Sequence, residues 1–109
     1  MKVKKINNKT GEKIQSALLN ELENKGIQKE YYIDLINDYM AMWIVKQKLI
    51  KDIAERGVTI EYQNGANQKG MKQNDSVLNL TKINNQMLKI LSELGLRGAE
   101  QEGDFDEEL

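Results

Sequence analysis

The sequence predicts a mainly α-helical subunit: a short N-terminal helix, then a long antiparallel helical hairpin with a small β-hairpin or loop as connector, assembling as an oligomer. Three observations carry this. Apolar residues recur at spacings of three and four along most of the chain, and Pro is absent throughout. The one stretch with a period of two lies between the two longest helical patterns, where a connector belongs.

The elements follow in order. Residues 1–9 (Met-Lys-Val-Lys-Lys-Ile-Asn-Asn-Lys) have no sustained periodicity and read as a basic arm. A first helix is expected over residues 11–25, where Ile14, Ala17, Leu18 and Leu22 fall on one face. Thr10 is placed to cap its start, and Gly26 followed by Ile27 suits a left-handed C-terminal cap with its apolar contact. The second helix is expected over residues 29–56 and contains no Gly. Leu35, Ile36, Tyr39, Met42, Trp43, Leu49, Ile50 and Ile53 form its main stripe, with Ile33, Met40 and Ile44 alongside. An apolar band that wide exceeds what one antiparallel partner covers. At a rise of 1.5 Å per residue the rod is about 42 Å long.

The period then changes. Val58, Ile60 and Tyr62 alternate with Thr59, Glu61 and Gln63, the pattern of a half-buried strand. Asn64-Gly65 is a turn dipeptide, so residues 58–63 are expected to pair with about residues 69–73. A third helix is expected over residues 75–94, with Asn74, Asp75 and Ser76 as possible caps and Leu80, Ile83, Met87, Ile90, Leu91 and Leu94 on one face. Gly95-Leu96 repeats the ending seen at Gly26-Ile27. This gives three expected regions: a basic arm and first helix (1–27), a helical-hairpin oligomerisation domain (28–98) and an acidic, disordered tail (99–109).

Composition narrows the chemistry. Cys and His are both absent, which removes disulfides, thiol nucleophiles, imidazole bases and the usual zinc ligands. Asp34 and Asp38 stand four apart, and Asp52 and Glu55 three apart, on the second helix. Paired acids can hold a cation or perform acid–base work, but Lys48 and Lys51 beside the second pair point to a solvated, salt-bridged face. A small carboxylate-metal enzyme is therefore the weakest reading, and the sequence predicts no catalytic residue, metal or cofactor. No Gly-rich phosphate loop is present, since Gly65 and Gly70 lack the Lys-Ser/Thr that would follow. No apolar run approaches the length of a membrane span, so a soluble, cytosolic protein without a membrane partner is expected.

Net charge is −1, yet residues 1–98 carry +5 and residues 99–109 carry −6. Lys2, Lys4, Lys5, Lys9 and Lys13 are the candidate DNA-binding residues, because cations on a reachable arm gain free energy by displacing phosphate counterions. Asn7 and Asn8 add hydrogen-bonding capacity to phosphate or base edges. The polar connector (Asn64, Asn67, Gln68, Lys69, Lys72, Gln73, Asn74) suits a nucleic acid, a protein partner or a solvated turn equally. Apolar content of 39% with 6% aromatics supports a modest core of the kind often completed by self-association. Tyr39, Trp43, Leu49, Ile53, Leu80, Met87 and Leu91 are the candidate oligomer interface, with Trp43 the expected anchor.

Four segments carry a family resemblance: Tyr39-Met-Ala-Met-Trp43, Arg56-Gly-Val-Thr-Ile-Glu-Tyr-Gln-Asn-Gly65, Asn67-Gln-Lys-Gly70 and the helix ending Gln86-Met-Leu-Lys-Ile-Leu-Ser-Glu-Leu-Gly-Leu96. From residue 31 to residue 96 the chain resembles the small subunits of phage terminases. It departs from them at Arg97-Gly-Ala, where members often have a small residue, Pro and a Ser-rich segment, and at Asn74-Asp75, where members often have Asn-Pro. The resemblance implies a non-enzymatic protein of the bacterial host cytoplasm that forms a homo-oligomeric ring and binds double-stranded DNA at the packaging-initiation site. It also implies recruitment and regulation of a large terminase subunit carrying the ATPase and nuclease, with the acidic tail a candidate docking segment for it. A helical protein–protein adaptor without direct DNA contact is the alternative reading.

Overall fold

The computed structural model describes residues 7–27, 29–66 and 68–96. Three helices and one antiparallel two-stranded sheet follow in the order α1 (Lys9–Asn24), α2 (Glu30–Arg56), β1 (Thr59–Gln63), β2 (Lys69–Gln73) and α3 (Asp75–Leu94). The mainly helical expectation holds, and the third helix has the expected ends.

The first helix differs at its start. It begins at Lys9, and Asn8 rather than Thr10 is the cap, its Oδ1 accepting a hydrogen bond from the Gly11 N–H at 3.0 Å. Asn is the better cap, and the bond satisfies one of the otherwise unpaired amides of the first turn. At the other end Gly26 donates to the Glu23 carbonyl and Ile27 to the Leu22 carbonyl. The third helix closes in the same double bond, Gly95 to Ser92 and Leu96 to Leu91. Gly95 sits at φ 69°, a left-handed conformation that glycine adopts without a Cβ clash. Ile27 and Leu96, just beyond these glycines, pack against the core. Lys25 reaches across to donate to the Gly95 carbonyl, joining the two helix ends.

The core joins all three helices. Leu18 and Leu22 come from α1, Ile36, Met40 and Trp43 from α2, and Met87, Ile90 and Leu94 from α3. Met40, expected on the secondary line of α2, is central and 1% exposed, whereas Ile50 from the main stripe is 42% exposed. The band is too wide for one partner because two partners share it: α1 and α3 both pack on α2. The first helix has 16 residues and the second 27, so α1 covers only part of the length of α2.

The sheet pairs as expected, with Thr59 opposite Gln73 and Gln63 opposite Lys69. Tyr62 stands opposite Gly70 and lays its ring over it, so a Cβ at Gly70 would meet the ring at 2.8 Å. The missing side chain is what lets the aromatic cross the strand. Val58, expected inside the strand, precedes it.

One polar cluster ties the end of α2, the base of the hairpin and the start of α3. Gly57 leaves α2 at φ 87° and ψ 174°, a region open to glycine almost alone. That turn brings Asn74, fully buried, against the preceding helix. The Asn74 Nδ2 donates to Asp52 Oδ2 and to the Gly57 carbonyl, both at 3.0 Å. Its Oδ1 accepts from the Ser76 N–H at 3.0 Å and from Arg56 Nη2 at 3.2 Å. Its backbone N–H donates to the Val58 carbonyl at 2.8 Å. Both amide hydrogens and both oxygen lone pairs are used, which fixes the orientation of the amide. Asp52 also accepts from Ser76 Oγ at 2.7 Å and from the forked guanidinium of Arg56 at 2.7 and 2.9 Å. Arg56, Ser76 and Asn74, in that order, hold the Asp52 carboxyl well below the usual carboxylate range.

Asn74→Ala should lower stability by roughly 2–3 kcal/mol, the loss of a helix cap plus the cost of stranding buried partners; a denaturant midpoint that moves with an unchanged slope checks it. The pH dependence of Asp52 follows from the sign of its shift. A carboxyl depressed in the folded state contributes stability that is complete above the unfolded value of about 4 and is lost as pH falls through the folded value. The stability difference between the parent chain and Asp52→Asn should therefore be constant from neutral pH to about 5 and narrow in stronger acid.

Candidate functional site

The unequal lengths of α1 and α2 leave part of α2 uncovered beside the start of α1. Where α1 begins, Asn7 and Asn8 line a groove of about 380 Å³ with Trp43, Ile44, Gln47, Lys48 and Lys51 of α2. Its floor is apolar, formed by the buried Trp43 and the half-buried Ile44, and its rim is basic. Lys48 makes no ion pair among the described residues. Lys51 has a loose one with Glu55 at 4.0 Å, both side chains largely exposed, and such a pair contributes little in water.

Of the five candidate DNA-binding lysines, Lys9 and Lys13 are exposed one turn apart on α1. They flank a shallow depression that also touches Glu12, Ser16, Ala17 and Asn20. Lys2, Lys4 and Lys5 lie outside the described residues; the chain that carries them enters at Asn7, on the groove. Asn8 is committed to capping α1, while Asn7 is exposed. Lys48 and Lys51 were not among the sequence candidates for this surface. Their spacing of three beside Trp43 and Ile44 was visible, but nothing in the sequence set that face of α2 against the root of the arm. The salt-bridged reading of this stretch holds for Lys51 with Glu55 and for Asp52, which pairs with Arg56 and also joins the polar cluster below the hairpin.

The candidate interface residues divide by depth. Trp43 and Met87 are buried in the subunit's own core, because α1 and α3 close over that face of α2. Tyr39 and Leu91 are half-buried and pack against the same core, and Leu49, Ile53 and Leu80 are half-buried as well. Burial raises the Tyr39 hydroxyl pKa. More apolar surface stands outside: Val45, Ile50, Leu78 and Leu88 on the helices, and Val58, Tyr62 and Met71 on or beside the strands. Both strands have a free edge, since the sheet has only two. Asp34 and Asp38 are exposed, and no group of three acidic side chains able to hold a metal occurs among the described residues. No helix among them is long and apolar enough to cross a membrane.

A family model described as phage terminase, small subunit, matches residues 12–102. The chain belongs to the phage terminase small subunit family. No curated protein and no solved structure matches it. Membership gives the subunit a role in phage DNA packaging, within a family of generally non-catalytic proteins. The resemblance first apparent over residues 31–96 thus extends through most of α1. Lys13, Lys48 and Lys51 lie inside the matched span, while Lys2, Lys4, Lys5 and Lys9 precede it.

Proposed function

We propose that this terminase small subunit binds double-stranded DNA at the packaging-initiation site with the basic surface around the start of α1. The observation that carries the reading is the placement of Lys48 and Lys51 beside the start of α1. Lys48 and Lys51 of α2 rim the groove where the chain bearing Lys2, Lys4 and Lys5 enters, and Lys9 and Lys13 follow on α1. Phosphate binding needs several cations that can act on one polyanion together, and the affinity scales with how many counterions they release. Lysines on the arm that enters at Asn7, beside lysines fixed on helices, supply both reach and registration. Phosphate contacts of this kind carry no sequence information, so they position the subunit on the backbone, and sequence choice comes from other contacts or from DNA shape.

In the same reading the subunit closes into a homo-oligomeric ring and recruits and regulates the large ATPase–nuclease subunit in the cytoplasm of the bacterial host. Supporting the ring are the half-buried Leu49, Ile53 and Leu80, the exposed Val45, Ile50 and Leu78, and the hairpin with its two free edges. Tyr39 and Leu91 back this surface, and Trp43 and Met87 hold it from within the core. A two-stranded hairpin is marginal alone and gains most from a neighbouring subunit. A heterologous contact that repeats around an axis closes such copies into a ring.

DNA affinity over a salt series tests the proposal. Replacing Lys2, Lys4, Lys5 and Lys9 with Ala should flatten the slope of log K against log salt by about 3–4, and Lys48→Ala with Lys51→Ala by about 1–2 more. An unchanged slope in both variants would remove this surface from DNA binding, and no affinity for any DNA in the parent chain would leave the helical adaptor as the function. Native mass spectrometry should show one closed oligomer; a monomer at micromolar concentration would overturn the ring.

A further inference from the structure

We infer that the groove beside Trp43 is the docking site of the chain's own acidic tail, residues 99–109, which thereby competes with nucleic acid for the basic surface. The competition rests on the DNA interface proposed above; the docking does not.

Charge and composition select the occupant. The groove offers an apolar floor of Trp43 and Ile44 with Lys48 and Lys51 on its rim. A matching ligand is an acidic segment carrying one aromatic side chain. The tail has that form: it holds six acids and no base, and the chain's single Phe, Phe105, stands between Asp104 and Asp106. The N-terminal arm, although rooted at the groove, brings lysines toward lysines and is the poorer occupant. Aromatic insertion with flanking carboxylates satisfies floor and rim together, whereas acids alone would leave the apolar floor wet.

Reach permits it. The Lys25–Gly95 contact sets the end of α3 beside the end of α1, and the groove lies at the opposite end of α1. Sixteen helical residues span about 24 Å at 1.5 Å per residue. From Leu96 to Phe105 an extended chain covers about 30 Å. Phe105 therefore reaches the groove of its own subunit with little slack. A nearer depression, lined by Leu19, Leu22, Glu23, Ile27 and Ile33, has Glu23 as its only charged residue and repels the same segment. Tethering makes weak docking sufficient, since a short flexible linker presents its segment at an effective concentration on the order of millimolar.

Trp43 is the only tryptophan in the chain and lines the groove, so its fluorescence reads the docked tail without any DNA. Removing residues 99–109 should red-shift its emission and raise its quenching by acrylamide. Phe105→Ala, which leaves every acid in place, should do the same, and Lys48→Gln with Lys51→Gln should abolish the difference between intact and truncated chains. A synthetic peptide of residues 97–109 added to the truncated chain should restore the original spectrum. In DNA titrations both truncation and Phe105→Ala should raise affinity by about 2- to 10-fold, the factor set by a half- to nine-tenths-occupied groove. If truncation raises affinity while Phe105→Ala and the Trp43 spectrum stay unchanged, the tail acts only as diffuse charge and the docking is overturned. A chain that shows the spectral response but binds no DNA keeps the docked tail and loses the DNA interface instead.

Discussion

The position of everything beyond α2 depends on one buried amide. Asn74 caps α3, bonds the carbonyl of the glycine that ends α2, and shares the Asp52 carboxylate with Arg56 and Ser76. A buried amide must find partners for two donors and two acceptor sites, and only one arrangement of three chain segments supplies them all here. The hairpin contributes little to holding itself in place, since its strands are mostly exposed and pair only with one another. Its base is fixed by the Asn74 N–H to Val58 carbonyl bond and by the turn at Gly57. Apolar packing further along then keeps α3 against α2, with Met87, Ile90 and Leu94 meeting Ile36 and Met40.

A mismatch of lengths governs the opposite side. Because α1 is shorter than α2, the apolar face it covers continues past its first residue as an open floor. The same step places α1's N-terminal turn, with the partial positive charge that a helix start carries, beside Lys48 and Lys51. Apolar floor and basic rim are thus consequences of where one helix begins. A longer α1 would bury Trp43 further and remove the groove.

For a small terminase subunit this geometry separates roles along the molecule. The basic groove lies beside the start of α1, against the middle and second half of α2, while exposed apolar residues stand on the helices and on or beside the strands. The charge of the chain is divided, +5 before residue 99 and −6 from there on. Attraction between opposite charges on one chain weakens as salt rises.

The sequence by itself determined the three helices, the presence and approximate pairing of the hairpin, both glycine-terminated helix ends and the family, because each is written in local spacing or in contiguous motifs. Periodicity of three and four specifies a helix from within, and Gly followed by an apolar residue specifies its end. Local pattern put the α1 cap two residues late, since Asn8 and Thr10 are both competent caps and only the packed helix start chose between them. The division of the α2 stripe was also beyond it: Met40 is central, Ile50 is exposed, and Trp43 lies in the core rather than on the open surface. Tertiary structure alone decided that Asp52, read from sequence as one of a solvated pair, is the partner of Asn74. It alone brought Lys48 and Lys51 to the root of the arm. These are contacts between segments tens of residues apart in the chain, and no periodicity encodes which faces of two helices will meet.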